Sequence, residues 1–150
     1  MTPTLVLGIG NILLKDEGVG VRVIEAMRGA ALPEGVELAD GGTFGIDLVD
    51  LIADRPRVIV IDAADAPGEP GTIFRFGAED LAARGSVSLS LHDVGLPETL
   101  QMARHLGCAP KEVVIFGIKP RQITPGLDLT PEVAAAVPKV IEAVLTELRR

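Results

Sequence analysis

Four residues of this sequence have side chains that can bind a metal ion or move a proton, and each stands near the end of a predicted element. Glu17 follows the first predicted strand after a short loop, Asp40 closes the second strand and Asp62 closes the third. His92 lies in the loop that enters the helix after the fourth strand. Glu17, Asp62 and His92 would offer carboxylate oxygens and an imidazole nitrogen, which suit a divalent ion such as Ni²⁺ or Zn²⁺. Three ligands would leave coordination positions open for groups from outside the chain.

Each of the four residues also has a structural interpretation. Asp16 and Glu17 can cap a helix N-terminus, where acidic side chains interact favourably with the helix dipole. Asp40 and Asp62 can each anchor a turn through their own backbone, and His92 can be solvated or locally hydrogen-bonded. The residue types alone therefore leave the metal site and the structural roles open.

Other catalytic classes have weaker support. Gly8 and Gly10 follow the first strand as in a dinucleotide-binding loop, but Leu13 stands where the third glycine is needed. Asp40 is a candidate for the ribose-binding acid, so dinucleotide binding stays a weak alternative. The sequence has no phosphate-binding G-x-x-x-x-G-K-S/T loop, no G-x-S-x-G elbow and no H-E-x-x-H pair. Cys108, near a predicted helix end, is expected to be buried or incidental rather than a nucleophile.

The elements that must position these residues follow from the apolar pattern of the 150-residue chain. The order βαβαββαβα predicts one domain, residues 1–150, built on an open, twisted, mostly parallel five-stranded sheet with helices on both faces. The fourth strand is predicted antiparallel, because its connection is too short for a crossover helix. A strand order beginning 2-1-3 would open the loops of Glu17, Asp40 and Asp62 onto one crevice. The predicted strands are 4–9, 35–40, 57–62, 72–76 and 112–118, and the predicted helices are 16–28, 44–53, 97–106 and a last one after Thr130.

Two helix starts have local signals. Asp16 is predicted to be the N-cap of the first helix. Thr130, Pro131 and Glu132 predict an N-cap, a first-turn proline and a first-turn acid for the last helix. Pro138 is expected to kink or interrupt that helix near its start.

Composition and net charge limit the classes of partner and the cellular compartment that we expect for this protein. A net charge of −7 argues against binding to nucleic acid, which needs clustered Lys and Arg. The single Cys108 excludes an internal disulfide and fits a reducing compartment. We find no basic leader and no run long enough to span a bilayer, so we expect a cytoplasmic protein with no membrane partner.

Five sequence motifs, the last of them in two pieces, together resemble the nickel–iron hydrogenase maturation proteases. The first is the longest, and the others follow along the chain in the order typical of that family. No single segment is specific, but their combination is. They are GIGNILLKDEGVG at 8–20, DGGT at 40–43, VIDA at 60–63, SLHDVGL at 90–96, GIKP at 117–120 and GLDLTP at 126–131.

The resemblance implies an endopeptidase that removes the C-terminal extension of a nickel-loaded hydrogenase large-subunit precursor. It implies that Glu17, Asp62 and His92 contact the metal, and that the nickel is supplied by the substrate, with no organic cofactor. Hydrolysis is expected to use activated water, with Asp40 as the candidate general base or substrate-strand anchor and Asp62 also counted as catalytic. The small size and the substrate-built site favour a monomer.

Three other functions remain open at this point. A nickel checkpoint would hold the precursor through the same residues without cutting it. A nucleotide-binding module would use the same sheet, although Leu13 argues against it. A self-sufficient metallohydrolase would keep its own zinc, whereas the family resemblance predicts a site that is largely empty at rest.

Overall fold

The computed structural model describes residues 3–42, 45–83, 88–89 and 96–150. Strands and helices alternate along most of the chain. A short 3₁₀ turn, Lys15–Gly18, precedes the first α-helix. The elements are β1 Thr4–Ile9, α1 Val19–Met27, β2 Val36–Gly42, α2 Gly45–Ile52, β3 Arg57–Asp65, β4 Ile73–Gly77, α3 Ala78–Ala83, β5 Ser88–Leu89, α4 Leu96–His105, β6 Glu112–Ile118 and α5 Pro131–Leu148.

The main sheet has the strand order β2-β1-β3-β6-β4, and β5 pairs separately with β3. Strands β2, β1, β3 and β6 are parallel, whereas β4 is antiparallel to β6. The predicted fold class, the 2-1-3 order and the antiparallel strand are therefore confirmed. The two-residue β5 and the short α3 were not among the predicted elements. We call the side where the four parallel strands end the carboxyl edge, and the opposite side the amino edge.

Each face of the sheet is covered by two helices. Apolar side chains of β1 and β3 alternate between the two faces, as the pleat of a strand requires. One buried cluster joins the sheet to α1 and α5, and the other joins it to α2 and α4. The buried strands are rich in Val, Ile and Leu, as expected for parallel strands covered on both sides. At the carboxyl edge, the loop after β1 leads into the 3₁₀ turn and α1, and the connection after β6 leads into α5.

Helix α1 packs unusually close to the sheet because Gly20 has no side chain. A Cβ atom at Gly20 would collide with the backbone carbonyl of Ile61 and would lie 2.6 Å from that of Ile9. Such distances are shorter than van der Waals contact, so only glycine permits this packing. The close approach fixes the position of α1 and of the 3₁₀ turn directly before it.

Of the two predicted helix starts, the first is wrong and the second is confirmed. The first helix does not begin at Asp16, because the 3₁₀ turn comes first and Gly18 is the N-cap of α1. Thr130 is the N-cap of α5 as predicted, with Pro131 and Glu132 in the first turn, but its hydroxyl makes no capping hydrogen bond. Helix α5 is continuous through Pro138, so the predicted interruption is absent. The extensive packing of α5 on α1 and the sheet offsets the loss of one backbone hydrogen bond.

None of the helices in the described part of the chain is both long enough and apolar enough to cross a membrane.

Candidate functional site

The register of the parallel strands brings Asp40 and Asp62 to the carboxyl edge. Gly8 of β1 pairs with Asp40 on one side and with Ile61 on the other. Asp62 comes one residue later, so the two acids lie at nearly the same level across β1. Neither acid closes its strand as predicted, because strand pairing carries β2 to Gly42 and β3 to Asp65.

Asp62 is a fully buried carboxylate. Val58 and Val60 belong to the cluster formed with α2 and α4, and Asp62 continues this alternate series on the same face of the sheet. Its Oδ1 atom accepts a hydrogen bond of 2.8 Å from the backbone N–H of Ala63. Asp62 therefore makes the local backbone contact of the structural interpretation, but at a buried position, where a carboxylate is costly unless it is paired and hydrogen-bonded.

Glu17 is also fully buried, in the 3₁₀ turn that follows β1. A Cβ atom at Gly10 would collide with the backbone carbonyl of Glu17 and lie 3.6 Å from Oδ1 of Asp62. Gly10 has a φ of +134°, a conformation that glycine adopts readily. Gly10 thus lies between the 3₁₀ turn that carries Glu17 and the carboxylate of Asp62. Because Gly10 has no side chain, the turn can lie close to Asp62.

Asp40 has different surroundings from Asp62. It is exposed, and it continues the series of Val36 and Leu38, which pack against the α1 and α5 side of the core. It also lies two strands away from Asp62, a separation of about 10 Å between backbones. The structure therefore places Asp40 at the same edge as the buried acids, but not in the same cluster.

His92 and its neighbours, residues 90–95, lie outside the described residues. The nearest described positions are Leu89, which pairs with Ala64 of β3, and Leu96, which begins α4. Within residues 3–42, 45–83, 88–89 and 96–150, no group of three His, Cys, Asp or Glu side chains is close enough to hold a metal ion. Of the three predicted metal ligands, Glu17, Asp62 and His92, the structure therefore describes only Glu17 and Asp62.

Asp16 was predicted to cap a helix, and the structure assigns it another role. Its side chain is fully buried and accepts four hydrogen bonds from residues more than a hundred positions later. The backbone N–H groups of Arg121 and Gln122 donate to Oδ2 at 2.9 and 3.0 Å. The N–H and hydroxyl of Thr130 donate at 2.8 and 2.7 Å. The Thr130 hydroxyl thus bonds to Asp16 instead of capping α5.

Residues 119–130, which connect β6 to α5, also bond to the backbone of the 3₁₀ turn. The N–H of Lys15 donates to Gly126, the N–H of Gly126 donates to Leu13, and the N–H of Asp16 donates to Gln122, at 3.0, 2.9 and 3.3 Å. Lys15 has a φ of +48°, which is uncommon for a residue with a side chain. The connection therefore holds a turn whose own backbone conformation is unfavourable.

An ion pair between Arg121 and Glu132 links residues 119–130 to the first turn of α5. The pKa of Glu132 lies below its ordinary value, first because its own backbone N–H donates to it at the start of α5, and second because of Arg121. Both effects favour the charged carboxylate at the N-terminus of a helix.

Two large apolar side chains are exposed where the connection meets the loop after β1. Leu13 is 59 % exposed and Leu127 is 59 % exposed. Their backbones are linked through the bridge between Leu14 and Gly126. The carboxyl edge therefore presents exposed apolar groups beside the turn that carries Glu17.

The described residues form a cleft of about 420 Å³, but it lies at the amino edge. It is lined by the start of β6, the end of β4 and the last turns of α4, with both acidic and basic side chains such as Asp80 and Lys111. This cleft is therefore not the crevice that the sequence predicted at the carboxyl edge. Glu17 and Asp62 are buried and do not line it. Cys108 is a half-buried free thiol beyond the end of α4.

Comparisons with known proteins agree with this architecture. The family model described as "Hydrogenase maturation protease" matches residues 21–147, a range that includes Asp40, Asp62 and His92 and begins after Glu17. The chain is 40 % identical over 147 residues to the hydrogenase 2 maturation protease of Escherichia coli K12, covering 97 % of this chain and 90 % of that one.

Two solved structures are similar to this fold. The hydrogenase maturating endopeptidase HybD from E. coli has a TM-score of 0.88 and 39 % identity, covering 98 % of this chain and 92 % of that one. A hydrogenase 2 maturation peptidase from a Thaumarchaeota archaeon has a TM-score of 0.73 and 35 % identity, covering 97 % of each chain. The match to the family model and the identity to these relatives extend over nearly the whole sequence. The chain therefore belongs to the hydrogenase maturation protease family.

Proposed function

We propose that this protein is an endopeptidase that removes the C-terminal extension of a nickel-loaded [NiFe] hydrogenase large-subunit precursor. In this proposal Glu17, Asp62 and His92 contact the nickel of the precursor, and cleavage is the last step of large-subunit maturation. The nickel is part of the substrate, and no organic cofactor takes part.

The observation that carries the proposal is that two fully buried acids, Glu17 and Asp62, both lie next to Gly10 at the carboxyl edge, Glu17 through its backbone carbonyl and Asp62 through Oδ1. Burying a carboxylate costs free energy, and a nearby cation favours its charged form. A divalent cation carried by the substrate supplies such a charge. Two oxygen ligands from this chain, with a nitrogen from His92, fit the mixed preferences of Ni²⁺.

His92 is included on the basis of its place in the sequence. It is three residues after Leu89, whose strand pairs with the end of β3 just beyond Asp62. Three residues of extended chain span at most about 10 Å, so His92 is within reach of the same edge. The family resemblance of the segment SLHDVGL supports the same assignment.

An incomplete ligand set gives a physical basis for recognition. Three ligands from this chain leave coordination positions that the precursor's own metal-binding groups can keep. A precursor without nickel forms no such bond, so the enzyme distinguishes loaded from empty precursor by the free energy of direct coordination.

Hydrolysis needs a water molecule, a base and an acid. Water attacks the scissile carbonyl carbon and gives up a proton, the C–N bond breaks, and the new amine takes a proton. Asp40 is the candidate base or substrate-strand anchor, because it is exposed at the carboxyl edge and is adjacent to Gly41 and Gly42, where a peptide backbone can approach closely. Asp62 is proposed to orient the substrate through the metal.

We also propose that the enzyme acts as a monomer in the cytoplasm, with no nucleic acid or membrane partner. The acidic charge of −7 and the single cysteine support this proposal.

The test is a cleavage assay on candidate large-subunit precursors, prepared with and without nickel. Mass spectrometry of the precursor's C-terminus identifies the product. We expect the wild-type protein to remove a short tail from the loaded precursor only. We expect Glu17→Gln and Asp62→Asn each to lower kcat/KM for loaded precursor at least about a hundredfold, since each removes a charged metal ligand.

Glu147→Gln is a matched control, because Glu147 is also a buried acid but lies at the amino edge. This variant should cleave like the wild type under conditions where it is folded. Binding without cleavage would favour the checkpoint function. Absence of both binding and cleavage with every native precursor would refute the proposal.

A further inference from the structure

We propose that Asp16 is a positioning residue, whose buried carboxylate fixes the 3₁₀ turn so that the neighbouring Glu17 meets the metal of the substrate. This inference rests on the proposed function, since it assigns a reason for the exact placement of Glu17. Asp16 itself does not touch the substrate in this proposal.

The carboxylate of Asp16 is held by four hydrogen bonds. Three donors share Oδ2 and one donates to Oδ1, at 2.7 to 3.0 Å. All four donors come from residues 121–130. The carboxylate of Asp16 is therefore bonded to the connection between β6 and α5, and Glu17, the adjacent and equally buried acid, is the candidate ligand of the metal.

All four donors are backbone N–H or hydroxyl groups, which need an oxygen acceptor. Two are the backbone N–H groups of Arg121 and Gln122, and the others are the N–H and hydroxyl of Thr130. Hydrogen bonds to a charged group are about twice as strong as neutral ones. An amide in place of the carboxylate would turn an NH₂ group toward these donors, so Asp16→Asn both loses acceptors and creates a repulsion.

The turn depends on these contacts because its backbone is strained. Lys15 is held at a φ of +48° immediately before Asp16. A left-handed conformation is unfavourable for a residue with a side chain and persists only where surrounding contacts impose it. The connection supplies those contacts, through the carboxylate of Asp16 and the backbone bonds to Gln122 and Gly126. Without them, the turn would relax and the Glu17 side chain would move.

Thr130→Val tests this inference with the least disturbance. It removes the 2.7 Å hydroxyl bond to Asp16 but keeps the β-branched shape, and the hydroxyl makes no capping bond in α5 that would also be lost. Thr130→Ser keeps the hydroxyl and serves as the conservative rescue. Arg75→Gln is the remote control, since it removes a hydrogen-bonding partner of the buried Glu147 at the amino edge.

Two readouts are measured on each purified full-length variant. The first is kcat/KM for nickel-loaded precursor together with the binding constant for nickel-free precursor. The second needs no substrate: it is the hydrogen-exchange rate of the amides of Asp16 and Gln122, which report the contact between the turn and residues 119–130.

For Thr130→Val we expect kcat/KM on loaded precursor to fall about tenfold, with unchanged binding of nickel-free precursor, because one hydrogen bond to a charged acceptor is lost. The amide exchange of Asp16 and Gln122 should accelerate by a similar factor. Thr130→Ser should restore both readouts. Arg75→Gln should lower the melting temperature while leaving both readouts at wild-type values.

The inference is overturned if folded Thr130→Val cleaves loaded precursor like the wild type, or if Arg75→Gln loses as much nickel-dependent activity. Either result would reduce Asp16 to a general stabiliser of the fold. A wild-type protein that cleaves no precursor would instead refute the proposed function. In that case the exchange rates alone still decide whether Asp16 holds the turn.

Discussion

The adjacent acids Asp16 and Glu17 have different surroundings. Both are fully buried in the same 3₁₀ turn. The carboxylate of Asp16 accepts four hydrogen bonds from the connection between β6 and α5, whereas the backbone of Glu17 lies against Gly10, next to Asp62. The turn therefore directs one acid toward the connection and places the other at the carboxyl edge of the sheet.

Among the individual residues, Asp40 has a proposed role that a single substitution can test directly. We expect Asp40→Asn to lower kcat for the loaded precursor by at least about a hundredfold if its carboxylate accepts the proton of the attacking water. Because Asp40 lies two strands from Asp62, nickel-dependent binding should remain. The measurement is single-turnover cleavage together with the binding constant of loaded precursor.

A substrate-anchor role for Asp40 would show itself differently. KM would rise and kcat would change little, since the bond is made equally in ground state and transition state. Asp65→Asn is a suitable control, because Asp65 is an exposed acid at the same edge, paired with Lys119. Unimpaired turnover of Asp40→Asn would remove Asp40 from both roles.

At the scale of elements, the position of the site depends on how closely α1 approaches the sheet. We expect Gly20→Ala to destabilise the protein by about 3 kcal/mol, because its Cβ would meet the backbone of Ile9 and Ile61, which cannot rotate away. The movement of α1 should also displace the 3₁₀ turn. Denaturant unfolding and the cleavage assay measure the two effects.

Gly29→Ala provides the matched control for this prediction. Gly29 follows the same helix, and a Cβ atom there would have no neighbour within 4 Å. This variant should have wild-type stability and activity. Equal stability of Gly20→Ala and Gly29→Ala would contradict the close packing of α1.

The exposed leucines of the carboxyl edge give a second prediction about elements. If the precursor docks at this edge, Leu13 and Leu127, which lie beside the 3₁₀ turn that carries Glu17, become covered. Leu13→Ser with Leu127→Ser should raise KM for loaded precursor about tenfold or more, since burial of each side chain stabilises the complex by about 1 to 2 kcal/mol. Steady-state cleavage at varied precursor concentration measures this.

The control for the leucines is a second exposed apolar pair, Met102 on α4 and Leu106 directly after it. These side chains are 53 % and 65 % exposed, and they lie at the end of α4 toward the amino edge. Met102→Ser with Leu106→Ser should leave KM unchanged. A KM that rises only in the α4 variant would mean that the precursor docks elsewhere.

For the whole molecule, the sequence was sufficient to predict the sheet and insufficient to predict its long-range polar contacts. The β-branched run from Val58 to Ile61 and the spacing of apolar residues in the helices are local signals, and they led to the correct fold class. The partners of Asp16 lie more than a hundred residues away, so no local pattern could reveal them. The same limit applies to the continuous α5, where tertiary packing overrides the local effect of Pro138.

A second buried acid of this kind, Glu147, joins three elements at the amino edge. Its carboxylate accepts hydrogen bonds from Arg75 at 2.8 and 3.1 Å and from Arg57 at 3.4 Å, linking α5 to β4 and β3. Arg57 also pairs with Glu112 at the start of β6. The network therefore fixes the end of the last helix against the sheet, at the edge opposite the candidate site.

The charge of Glu147 makes the stability of the molecule depend on pH. Hydrogen bonds from Arg75 are the main cause that holds the pKa of Glu147 below its ordinary value of 4.5. A lowered pKa in the folded state means that the carboxylate stabilises the fold fully above pH 4.5, and that this contribution is lost as the pH falls through the lowered pKa. Glu147→Gln should therefore be less stable than the wild type by about 2 kcal/mol at pH 7.

The comparison of melting temperatures from pH 7 to pH 2 tests this expectation. The difference between wild type and Glu147→Gln should stay constant down to about pH 5 and then shrink, because protonation removes from the wild type what the substitution has already removed from the variant. Glu142→Gln, at an exposed position of the same helix, should follow the wild type at every pH. A difference that persists at pH 2 would show that Glu147 acts through packing, and that the ion pairs with Arg75 and Arg57 add little to the joint between α5 and the sheet.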